Sequence, residues 1–134
     1  MSRLPPVLER LLDLWNGGDV DPRDVYGRGC TVDGGPTTFD PEDVPPEIAT
    51  YRSAFPDLRW SVDRWVASGE RYVLRMQATG THTGAVFDGE AGRVEATGQA
   101  FTLDGIEVIE IRDDLIVDVW QAWDMAPLYA ARTN

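Results

Sequence analysis

Apolar residues recur at helical spacing at the start of the chain: Leu4, Val7, Leu8, Leu11, Leu12 and Trp15. Pro5 and Pro6 stand where a first helical turn tolerates proline, and Asn16-Gly17-Gly18-Asp19 supplies the residues that end a helix. The pattern predicts an amphipathic helix over 4–16. A second short helix is predicted over 21–26, with Pro22 in its first turn, then a short strand over 30–33. Residues 34–43 read as loop. A third helix is predicted over 44–55, carrying Ile48, Tyr51 and Arg52, and Phe55-Pro56-Asp57 stops it.

From residue 58 the period changes from about 3.6 to two. Leu58, Trp60 and Val62 alternate with Arg59, Ser61 and Asp63, and Tyr72, Leu74, Met76 and Ala78 alternate with Val73, Arg75, Gln77 and Thr79. After a glycine-rich break over 84–92, strands are predicted over 101–111 and 115–123. Ser68-Gly69-Glu70 and Asp113-Asp114 read as hairpin turns. The tail, 125–132, has room for a turn or two of helix. Helices followed by an antiparallel meander define an α+β order, in one domain spanning 1–134. The sheet needs a cover, and the N-terminal helices are the elements available. A curved sheet wrapped partly around them leaves an apolar cleft, the usual form of a small-molecule site.

Composition narrows the chemistry. The chain has 134 residues and a net charge of −11, with 23 acidic side chains and 12 basic ones. Every basic residue is Arg, so Schiff-base lysines and phosphate loops are excluded. One Cys (Cys30) and one His (His82) cannot build a Cys/His zinc site or a two-His iron site, so no metal or cofactor is expected. A lone Cys fits a reducing cytoplasm. The acidic balance argues against a nucleic-acid partner. Glu9 and Asp13 interrupt the N-terminal apolar run, so no signal sequence or membrane span is expected there.

Four short segments, in order, carry a resemblance: Trp15-Asn16-Gly17-Gly18-Asp19, Phe55-Pro56-Asp57-Leu58, Gly80-Thr81-His82-Thr83-Gly84, and Ile116-Val117-Asp118-Val119-Trp120 with Asp124. Together they resemble the SnoaL-like polyketide cyclases of the nuclear-transport-factor-2-like superfamily, over roughly residues 8–128. The resemblance implies a cone-shaped α+β barrel: a curved antiparallel sheet wrapped around three N-terminal helices. It also implies ring closure by intramolecular aldol condensation without metal or cofactor. Ketosteroid isomerases and epoxide hydrolases share the fold, and some members only bind, so fold does not choose the reaction.

By this resemblance Asp124 is the acid/base, facing an apolar cavity that raises its pKa. Asp33 falls where many relatives carry a His, within a residue of the base in ketosteroid isomerases. His82 is the one side chain that titrates near neutrality unaided. Asp124 with His82 suits an aldol reaction, and Asp33 with Asp124 suits epoxide opening or isomerisation. Trp120, on the face of Asp124 if the strand is regular, is expected in the pocket wall. Glu110, Tyr51, Phe55, Trp15 and Phe39 are the other expected pocket residues, with Tyr51 a candidate oxyanion donor. Apolar residues in alternation on the sheet's outer face suggest a homodimer. The expected partner is an apolar, oxygenated small molecule; a non-catalytic hydrophobic ligand-binding protein is the reading from another class.

Overall fold

A computed structural model describes residues 3–89 and 91–130; Glu90 of the glycine-rich segment and the end of the predicted tail, 131–132, lie outside the described residues. Helix α1 (Pro6–Trp15) forms where the spacing predicts it and buries Val7, Leu8, Leu11 and Leu14. Helix α2 (Val44–Ala54) follows a 3-10 turn at Pro41–Asp43. A short α3 (Ala126–Ala130) closes the described chain. No helix among the described residues is long and apolar enough to cross a membrane.

The main sheet has six strands in the order β2-β1-β8-β7-β4-β3. They are β1 (Tyr26–Val32), β2 (Thr38–Phe39), β3 (Arg59–Ser68), β4 (Arg71–Thr81), β7 (Ala100–Arg112) and β8 (Leu115–Asp124). The small ribbon β5 (Phe87–Gly89) and β6 (Gly92–Val94) starts in the glycine-rich segment and runs past its end. Strand β1 runs parallel to β8 and every other pairing is antiparallel, so the sheet is mixed.

That parallel strand is the main difference from the sequence expectation. The predicted second helix shrinks to one 3-10 turn, Pro22–Asp24, in which the Asp21 carboxylate accepts the Arg23 N–H at 2.9 Å. Local capping chemistry starts the turn. Tyr26 and Cys30 are then buried on a strand paired with β8, and tertiary pairing overrides local preference.

One core lies between α1 and the sheet, where Val7, Leu8, Leu11 and Leu14 meet Leu74, Met76, Ile109 and Ile116. Each such side chain contributes about 1.5–3 kcal/mol by leaving water. A second core gathers Phe55, Phe87, Phe101, Leu103 and Leu128.

The sequence motifs act as staples between elements. Asn16 docks the end of α1 on β3: its amide donates to the Trp60 carbonyl at 2.9 Å and its oxygen accepts the Trp60 N–H at 2.7 Å. Asp57 accepts both the N–H and the hydroxyl of Thr81, each at 2.8 Å, which holds its carboxyl below the usual range. Asp118 accepts the Gly34 N–H at 2.9 Å, fixing the turn after β1 to β8. These polar ties set how α1, α2 and the 34–43 segment stand over the sheet, and so the size of the space beneath them.

Candidate active site

A cavity of about 920 Å3 lies between α1, α2, the β1–β2 segment and the inner face of β7 and β8. Its walls include eight aromatic rings: Trp15, Tyr26, Phe39, Tyr51, Trp60, Phe87, Trp123 and Tyr129. Trp15, Tyr51 and Trp60 pack edge to face with centroids 5.9–6.2 Å apart, and Trp60 meets Trp123 at 5.1 Å. Five carboxylates line the space: Asp33, Asp43, Glu47, Asp88 and Glu107. Asp33, Asp43, Glu47 and Asp88 are exposed at its rim.

Glu107 is the inner one. It projects from the middle of β7, beside Tyr26, Trp123 and Gln121 in the cavity wall, and Gln121 is its direct partner across the sheet. Trp123 Nε1 donates to Glu107 Oε2 at 3.1 Å. Burial pushes this carboxyl up to about 7, and the Trp123 hydrogen bond offsets part of the rise. A carboxyl in that range exchanges its proton at neutral pH, as a general acid or base must. Tyr26 is buried nearby, and its hydroxyl oxygen accepts from Trp15 Nε1 at 2.9 Å. Burial raises the Tyr26 phenol far above its ordinary value, the Trp15 hydrogen bond opposes this, and the charges of Glu107 and Glu47 add to the rise. The phenol therefore keeps its proton, and its O–H remains a donor.

The expected site residues divide. Asp33, Trp15, Phe39 and Tyr51 line the cavity. Asp33 stands at the rim, in a left-handed turn at φ 54. Asp124, His82, Trp120, Glu110 and Phe55 lie outside the lining, so neither Asp124–His82 nor Asp33–Asp124 meets across this cavity. Asp124 is exposed and its Oδ1 accepts the Ala126 N–H at 3.0 Å, at the start of α3. His82 is buried and donates from Nε2 to the Ala85 carbonyl at 2.7 Å, with its ring edge to face against Phe55 at 4.9 Å. Phe55 itself belongs to the second core. Glu110 pairs with Arg71 and Arg112. Trp120 is 44% exposed.

One irregularity explains the shift on β8. Ile111 pairs with Ile116, but Glu110 pairs with Asp118, so Val117 is an extra residue. This bulge turns the strand by one position. Ile116 faces the core, whereas beyond the bulge Val119, Gln121 and Trp123 face the cavity. Asp118, Trp120, Ala122 and Asp124 do share a face, but with the turn they share the other one. Glu107 carried a readable signal: Phe101, Leu103, Gly105, Glu107 and Ile109 have one parity, and the series holds a single charge.

Cys30 is buried with its thiol pushed up to about 12, chiefly by burial, so it stays protonated. Among the described residues, no group of three His, Cys, Asp or Glu side chains is arranged to hold a metal ion.

Fold and site together define an α+β cone that encloses an aromatic cavity with the Glu107 carboxyl on its inner wall. Residues 6–132 match the SnoaL-like polyketide cyclase family, and the chain belongs to it. Similar solved structures include TsrD from Streptomyces laurentii, 23% identical, with 96% of this chain and 97% of that one covered at a TM-score of 0.76. IdmH from Streptomyces antibioticus, a candidate polyketide cyclase, is 22% identical, with 96% of each chain covered and a TM-score of 0.76. A protein of ketosteroid-isomerase-like fold from Catenulispora acidiphila is 12% identical, covering 98% of this chain and 95% of that one at 0.72. No curated protein matches the sequence.

Proposed function

We propose that this protein is a cofactor-independent acid/base enzyme acting on an apolar, oxygenated small molecule, by intramolecular aldol-type cyclisation or a related proton transfer. The observation that carries the reading is Glu107, a carboxyl of pKa about 7 inside an aromatic cavity. In its ionised form Glu107 removes a proton alpha to a carbonyl. The Tyr26 O–H donates to the enolate oxygen. The carbanion attacks a second carbonyl of the same molecule, and Glu107 returns its proton to the resulting alkoxide. Proton and electrons balance without an added reactant. Family membership and the candidate cyclase among the structural neighbours support this reading.

Glu107→Gln keeps the shape of the cavity and removes the titrating group. Turnover should fall at least about a hundredfold while ligand binding persists. The wild-type rate should follow one ionisation near pH 7. An unchanged rate in the variant would remove Glu107 from the chemistry. A wild type that binds but turns over no oxygenated polyketide-like substrate would favour a ligand-binding role.

We also propose that the outer face of the sheet pairs with a second copy of the chain. Val66, Val73, Val108 and Trp120 form a continuous row of direct cross-strand partners over four strands. Three of them are exposed, at 63%, 39% and 44%, and Ile106 beside them at 47%. Such a row in water is the usual mark of an interface.

A further inference from the structure

The cavity is one-sided in charge. Five carboxylates line it, and none of the described lining residues is Arg or His. Ion pairs among the described residues include Arg28 with Asp40 and Glu42, Arg71 and Arg112 with Glu110, and Arg75 with Asp63. None of these ion pairs includes a cavity carboxylate, although Arg28 stands near enough to Asp43 for the two charges to interact. Among the described residues, negative charge therefore faces the ligand from a wall that holds no basic side chain. That disfavours a carboxylate or phosphate ligand by like-charge repulsion, more strongly in a space shielded from water.

Helix α2 brings one of these charges to the aromatic wall. Glu47 and Tyr51 stand one turn apart on one face of α2, Asp43 precedes them at its N-cap, and all three line the cavity. The Tyr51 ring meets both Trp15 and Trp60. The field of Glu47 reaches the interior, since together with Glu107 it disfavours ionisation of the Tyr26 phenol. A carboxylate that shares a cavity wall with several electron-rich rings, with no basic residue among the described lining, is the chemistry that recognises an organic ammonium group.

We infer that the ligand of this cavity carries a protonated or quaternary amine on an apolar body, with the ammonium held by Glu47 and the ring faces of Trp15, Tyr51 and Trp60. The inference rests on the proposed use of this cavity as the substrate site. Glu107 remains available for proton transfer on the oxygenated part of the same molecule.

The test is equilibrium binding to the intact chain, followed by tryptophan fluorescence and calorimetry. The probes are benzyltrimethylammonium, its neutral carbon isostere neopentylbenzene, and the anion phenylacetate. The ammonium should bind about tenfold or more tightly than the isostere, with phenylacetate weakest. Glu47→Gln, at an exposed position that leaves the fold intact, should lose most of that preference. Equal or tighter binding of the isostere, no binding of the ammonium, or an unchanged preference in Glu47→Gln would overturn the inference. Any of these results alongside a Glu107 titration near pH 7 leaves the acid/base reading standing. A cation preference without that titration would uphold the ammonium ligand and remove the acid/base reading.

Discussion

Trp123 and Glu107 meet on the inner face of the sheet, the indole Nε1–H of one donating to the carboxylate of the other at 3.1 Å. The bond holds the acid in place and favours its ionised form against the burial that opposes it. Trp123→Phe keeps most of the ring and removes the donor. The Glu107 carboxyl should then rise further above about 7, and the inflection of the pH–rate profile should move up with it. Carboxyl titration by infrared spectroscopy reads the same shift; an unmoved inflection would show that the bond does not tune the acid.

Glu107 also links stability to pH. Its folded value, about 7, lies above its ordinary 4.5. The native state therefore holds a proton that the unfolded chain releases. The contribution is fully favourable below about pH 4.5 and is lost as pH rises to about 7, by at most about 3 kcal/mol. Glu107→Gln lacks that loss, so its stability should gain on the wild type between pH 4.5 and 7 and keep the gain above. Urea unfolding at several pH values measures the difference. Parallel curves for the two proteins would contradict the raised carboxyl.

Gly105 provides the seat of Trp123. A Cβ there would stand 2.2 Å from Trp123 Cδ2 and 2.5 Å from Cε2, contacts that no rotation of the methyl relieves. Gly105→Ala should cost about 1–3 kcal/mol by overpacking and displace the indole from Glu107. The expected result is a lower unfolding midpoint together with an upward shift of the pH–rate inflection. A variant as stable as the wild type would mean the ring has room to move.

Asp124 separates a structural from a chemical role. Asp124→Asn retains the acceptor for the Ala126 N–H and should leave both stability and turnover near wild type. Asp124→Ala loses the bond and should cost about 0.5–1.5 kcal/mol, with turnover preserved under folding conditions. A large drop in rate for the folded Asn variant would place Asp124 in the reaction after all.

Trp120 reports on assembly. If the outer face is shared between two copies, Trp120→Glu buries a charge against Val108 and its mate, and the dimer should dissociate. Sedimentation at micromolar concentration should show a dimer for the wild type and a monomer for the variant. A monomeric wild type ends the proposal.

The sequence alone determined the α+β order, because a change of hydrophobic period near residue 58 separates helices from strands. It determined α1, α2, the long strands and the family, because capping residues and motifs are local. Trp15, Phe39, Tyr51 and Asp33, named as site candidates from the sequence and the family resemblance, do line the cavity. The motif residues Asn16, Asp57 and Asp118 hold elements together, so the motifs name the fold without naming the proposed reactive group. Only the tertiary structure decided which face of β8 turns inward, because one inserted residue at Val117 reverses the side of everything after it. Only packing decided that the predicted second helix shortens to a 3-10 turn and that the strand after it lies beside β8. The parity of β7 marks Glu107 as the one charge in an apolar series, but only burial raises its pKa, since an unusual pKa comes from the surroundings of a carboxyl and not from its position in the chain.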